Sequence, residues 1–170
     1  HFVLGCFVGM VWCFARLFIK GASGRQRYNV LGAIDSHTKE LISIRTADYI
    51  NSITVTQLID LIRERHPTQK ITLVLDNARY QICYLVQNYA AEKNVELLFL
   101  PAYSPNLNII ERLWKLAKTN CLRNKYFPDF ASFRLALDNF FDEVNDRHQS
   151  KLESCLTLNF CNCSGLIQSV

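Results

Sequence analysis

The stretch ITLVLDNARYQ, Ile71 to Gln81, reads as a strand that ends on an acidic residue, Asp76, followed at once by Asn77. A carboxylate there has two uses. It can cap the next helix, where a short acidic side chain and a negative charge are both favoured, or it can hold a metal ion in the crevice at the carboxyl end of a parallel strand. A second acid, Glu111, sits in NIIERLWKLAK and leaves a similar choice. Glu111 and Lys115 have the i, i+4 order of a surface ion pair. Alternatively, Glu111 turns toward the sheet as a metal ligand while Lys115 and Lys118 meet phosphate. Spacing alone leaves both pairs of readings open.

The chain that must position these acids has 170 residues, 49% of them hydrophobic, enough for one core and one compact domain. Its net charge of +4 is compatible with a polyanionic partner without requiring one. The seven cysteines are odd in number and lie mostly in apolar stretches, as reduced thiols do in a cytoplasmic protein. Cys161 and Cys163 lack the further Cys or His residues that a zinc site needs.

Phe2 to Ile19 is apolar except for Arg16, but Gly5 and Gly9 cut it into strand-length pieces and no basic flank precedes it. It is therefore expected to be buried strand and turn rather than a membrane span. Phe14–Lys20, Tyr28–Ile34 and Glu40–Thr46 are expected to form an antiparallel meander around GASGRQ and DSHT. Val55, Leu58, Ile59 and Ile62 then mark a helix over 54–66, stopped by Pro67. The strand Ile71–Leu75 follows, then a helix over 78–93 with Ile82, Leu85, Val86 and Tyr89 on one face, then a strand over 95–100.

After PAYSPN, whose two prolines stiffen the loop, a helix is expected over 107–120, with Ile110, Leu113, Trp114 and Ala117 as its apolar stripe. The last helix, over 129–147, has Asp129 as N-cap. Three antiparallel strands followed by alternating helices and parallel strands predict an α/β fold: a ribonuclease H-like mixed sheet with helices on both faces. The domain is expected over 1–156, with an irregular tail over 157–170.

LVLDNARYQ at Leu73–Gln81 and LPAYSPNLNIIERLW at Leu100–Trp114 together resemble the endonuclease domain of mariner-superfamily DDE transposases, in their bacterial insertion-sequence branch. Positions 77 to 110, 34 residues, separate the two acids, the interval that branch leaves between its second Asp and its final Glu. SGRQRYNVLGAID at Ser23–Asp35 resembles the hairpin of the same domain.

The resemblance implies cleavage and joining of DNA strands with two Mg²⁺ or Mn²⁺ ions, Asp76 and Glu111 as catalytic metal ligands and Asn77 orienting the site behind them. Two hard divalent ions facing a phosphodiester call for carboxylate ligands. The family's first Asp belongs on the opening strand three residues before His1-Phe2 and is not among these residues. Asp35 does not replace it, because it matches the turn of the hairpin. Tyr80 and Gln81 stand where many relatives have a His, and Ala102 and Ile109 where many have Pro.

Arg25, Arg27, Tyr103, Lys115 and Lys118 are the candidates to follow a DNA backbone, through contacts that are salt-dependent and blind to sequence. Two readings follow. In one the chain is the catalytic domain of a transposase, inactive as it stands for want of the first Asp. In the other it is a non-enzymatic remnant that binds DNA or pairs with an intact transposase subunit or a second copy of itself. Neither involves a membrane.

Overall fold

The computed structural model describes residues 1–4, 14–15, 26–101, 108–146 and 152. Three strands, β1 (Phe2–Leu4), β2 (Gln26–Ile34) and β3 (Leu41–Thr46), form an antiparallel meander, with Phe2 opposite Tyr28 and Ile34 opposite Leu41. Phe2 and Leu4 turn inward while Val3 turns out, the alternation of a strand with one buried face. This corrects the expected first strand at Phe14–Lys20. Phe14 lies in a bend and is fully exposed, and 16–20 lie outside the described residues. The turn from β2 to β3 is built by Asp35, whose Oδ1 accepts from His37 N at 2.6 Å and Thr38 N at 2.9 Å. Asp35 is thus a turn residue, as its place in the hairpin motif suggested.

Helix α1 (Ser52–Arg65) opens on a capping box: Asn51 Oδ1 accepts from Thr54 N at 3.1 Å and Thr54 Oγ1 from Asn51 N at 3.4 Å. It buries the four residues that sequence periodicity selected, Val55, Leu58, Ile59 and Ile62. Strand β4 (Ile71–Leu75) and strand β5 (Val95–Phe99) pair in parallel, Ile71 with Val95 through Leu75 with Phe99. Between them α2 spans only Tyr84–Glu92. Residues 78–83 are turns instead of helix, held by Ala78 O accepting from Gln81 N at 2.9 Å. The buried face of α2 is accordingly Val86 and Ala90, whereas Ile82 and Leu85 are exposed.

Helix α3 (Ile110–Ala117) continues into a single π turn, Lys118–Leu122, and α4 (Phe130–Glu143) starts from Asp129, which accepts from Ser132 N at 2.7 Å. Cys83 and Cys121 are free thiols; burial pushes the Cys121 thiol up to about 11, leaving it inert. Among the described residues no helix is long and apolar enough to cross a membrane.

Helices cover both faces of the strands. Tyr28 and Val30 of β2 join α3 and α4 in one core, while Leu31, on the opposite face, joins α1, α2, β4 and β5 in the other. Gly32 marks a close approach: a Cβ there would lie 3.1 Å from Leu41 Cδ1 and 3.2 Å from Trp114 Cη2 of α3. Among the described residues the backbone ladders form two sets, β1-β2-β3 and β4-β5, with no ladder between them.

Tyr28 joins the first core to a charged cluster. It is 1% exposed, and its hydroxyl donates to Asp138 Oδ1 at 2.5 Å. Arg45 reaches Asp138 at 3.3 Å and Asp142 at 2.6 Å, and Arg134 reaches Asp138 at 3.3 Å. Burial, followed by the hydrogen bond and charge of Asp138, pushes the Tyr28 phenol from 10.0 up to about 12. Its raised pKa means that Tyr28 contributes stability fully below about pH 10 and loses that contribution as the pH rises toward about 12. Chemical denaturation between those two pH values should therefore show the wild-type midpoint falling more steeply than that of Tyr28→Phe.

Candidate active site

A cleft of about 1170 Å³ opens between β2 and β4 and reaches the start of α3. Asp76 and Glu111 both line it. Asp76 follows the last residue of β4 and is exposed; its Oδ1 accepts from Ala78 N at 3.2 Å. It caps no helix, because α2 begins only at Tyr84. Its charge reaches Tyr80, whose phenol is pushed up first by burial and then by Asp76.

Glu111 occupies the first turn of α3, and its carboxylate is exposed. Among the described residues neither Asp76 nor Glu111 takes part in an ion pair, so the Glu111–Lys115 bridge is not formed. Asn108 enters the same cleft and its Oδ1 accepts from Ile110 N at 3.3 Å, steadying the helix start beside Glu111. The expected helix over 107–120 had placed Asn108 inside the helix, whereas α3 starts at Ile110.

Asn77 donates from Nδ2 to Leu100 O at 2.7 Å, while Leu100 N donates to Leu75 O at 2.9 Å. These bonds tie the ends of β4 and β5 together directly behind Asp76. Asn77 itself does not line the cleft, and neither does Lys115. Arg27 and Lys118 do, and both are exposed. Arg25 and Tyr103 lie outside the described residues. The start of β1 meets this wall as well. His1 lines the cleft too.

Gln81, which stands with Tyr80 where many relatives have a His, also lines the cleft at 7% exposure, and its Oε1 is buried without a hydrogen-bond partner among the described residues.

Asp76 and Glu111, which have no ion pair among the described residues, offer carboxylate oxygens of the kind that suits Mg²⁺ or Mn²⁺ rather than thiol-seeking metals. Among the described residues no group of three His, Cys, Asp or Glu side chains could hold a metal ion. The donor set fits a divalent ion but supplies two acids of the three that the motif resemblance implies.

The sequence profile of a family described as "DDE superfamily endonuclease" matches residues 16–134. The chain is 32% identical over 78 residues to the transposable element Tc3 transposase of Caenorhabditis elegans, covering 45% of this chain and 24% of that protein. A Mos1 transposase paired-end complex with left transposon end superimposes with a TM-score of 0.56 at 17% identity, over 88% of this chain and 49% of that one. A Mos1 mariner paired end complex with Mn gives 0.54 at 17% identity, over 91% and 52%. The chain thus spans about a quarter of the Tc3 protein and about half of each Mos1 chain. The Mos1 likenesses concern the fold, which is that of ribonuclease H-like transposase catalytic domains.

Proposed function

Because the chain belongs to the DDE superfamily endonuclease family, we propose that it is the catalytic domain of a transposase that cuts and joins DNA strands with divalent metal ions. The observation that carries this reading is the meeting of Asp76 and Glu111 on one cleft, from the end of a parallel strand and the first turn of a helix. Asp76 and Glu111 hold Mg²⁺ or Mn²⁺ through carboxylate oxygens. Bound divalent ions supply activation of the attacking oxygen and stabilisation of the leaving one. Asn77 fixes the strand end that carries Asp76. Arg27 and Lys118 receive the phosphate backbone within the cleft, and Lys115 extends that basic surface beyond its edge. Such contacts hold DNA of any sequence and weaken with salt.

The strand register supports a place for the third acid. Each step back along β1 is a step forward along β2, so from Phe2 opposite Tyr28, four steps back reach Gly32. A strand continued upstream in this register would bring the position three residues before His1 opposite Gly32. That position shares the face of Phe2, whose ring lies 6.3 Å from Trp114, one turn after Glu111. An Asp there completes three acids on one wall. The 170 residues by themselves are expected to bind DNA without cutting it.

The test is nicking of supercoiled DNA with Mg²⁺ or Mn²⁺. The domain extended by a strand carrying Asp three residues before His1 should nick, whereas the same protein with Glu111→Gln should not. Equal nicking by both would reject Glu111 as a ligand.

A further inference from the structure

Gln81 belongs to the turn that leads away from Asp76. Asp76 Oδ1 accepts from Ala78 N, and Ala78 O accepts from Gln81 N, so two consecutive hydrogen bonds fix Gln81 relative to the acid. Its side chain is 7% exposed and lines the cleft, and among the described residues its carboxamide oxygen has no donor. A buried bare acceptor is costly, because folding strips its water without returning a hydrogen bond. The neighbouring chain does not relieve it: Tyr80 on one side is a half-buried phenol in the field of Asp76, and Cys83 on the other donates to Tyr80 O at 3.6 Å.

We infer that Gln81 is a positioning residue whose Oε1, closed off from water in this structure, turns into the cleft to accept a hydrogen bond from the hydration shell of a divalent ion held at Asp76. This rests on the metal-dependent reading above. A hydrated divalent ion is a strong source of polarised O–H donors, and a neutral amide oxygen can accept from it without adding a charge that would compete with the carboxylates. Such groups behind the ligands orient the ion and typically govern its affinity by about 10–100-fold when removed. An oxygen kept for this purpose costs stability whenever the ion is absent.

Mn²⁺ titrated into the 170-residue protein without DNA, with free Mn²⁺ read by electron paramagnetic resonance, tests this apart from catalysis. Gln81→Met keeps the length and removes the acceptor. It should weaken Mn²⁺ binding about 10-fold and raise the melting temperature of the metal-free protein by about 2–4 °C. Gln81→Glu keeps an acceptor and should bind Mn²⁺ at least as tightly as wild type; weaker binding by this variant, which also serves if Gln81→Met fails to fold, overturns the inference. Wild-type Mn²⁺ affinity in Gln81→Met, or a lowered metal-free melting temperature, also overturns it. If Asp76→Asn abolishes binding while Gln81→Met leaves it intact, only the role of Gln81 falls. If Asp76→Asn also leaves binding intact, the metal-dependent reading falls with it.

Discussion

Asp76→Asn is expected to lower Mg²⁺-dependent nicking by about 1000-fold in the domain extended by a strand that carries the third acid. A bound divalent ion supplies several kcal/mol of transition-state charge stabilisation, and each ~1.4 kcal/mol is worth tenfold in rate. An amide oxygen in place of the carboxylate removes the charge that retains the ion while leaving its shape. Combining Asp76→Asn with Glu111→Gln should cost little more than either alone, because both act through the same ions. The melting temperature without metal should barely move. Asp76 is exposed, and Asn keeps the Oδ1 that accepts from Ala78 N. Plasmid nicking and a thermal melt on the same preparations separate the two effects; nicking within tenfold of the parent would refute the role of Asp76.

The largest effect on stability is expected from Phe133→Ala. Phe133 is 2% exposed, with its ring 5.6 Å from Phe127 and 6.0 Å from Phe130. Truncating a buried phenylalanine costs about 3–5 kcal/mol through lost burial and a residual cavity. In a chain of this size that lowers the melting temperature by about 10 °C or more. Thermal denaturation followed by circular dichroism checks it, and a drop of less than about 2 °C would mean that the α4 face is not packed as described. Well below the transition, nicking by the extended domain should persist, since Phe133 does not line the cleft.

The elements read best from sequence were those whose apolar spacing and end signals agreed. Helix α1 shows its buried four at helical intervals, α4 is announced by Asp129, and β4 is a short apolar run before an acid. The first strand of the meander was expected at Phe14–Lys20, where Phe14 and Ala15 form a bend and 16–20 lie outside the described residues, whereas Phe2–Leu4 is the strand seen beside β2. Only pairing with β2 distinguishes Phe2–Leu4, and pairing is a long-range fact. The start of α2 was missed because the hydrogen bonds at Asp76–Ala78 and Ala78–Gln81 favour turns over a helical start, which also leaves Ile82 and Leu85 facing water. The two acids were selected by their motifs and interval, and the structure brings both to one cleft. Of the described basic candidates, Arg27 and Lys118 reach it, and a face-blind reading of charge could not separate Lys118 from Lys115. Gln81 carries no periodic signal; its oxygen, unanswered among the described residues, is revealed only by packing.

Gly32 bears on how α3 is placed. With hydrogen where any other residue has carbon, the strand lets the indole of Trp114 settle almost onto its backbone. The height above the sheet of α3, the helix that carries Glu111, is therefore gauged by the thickness of one missing methyl group.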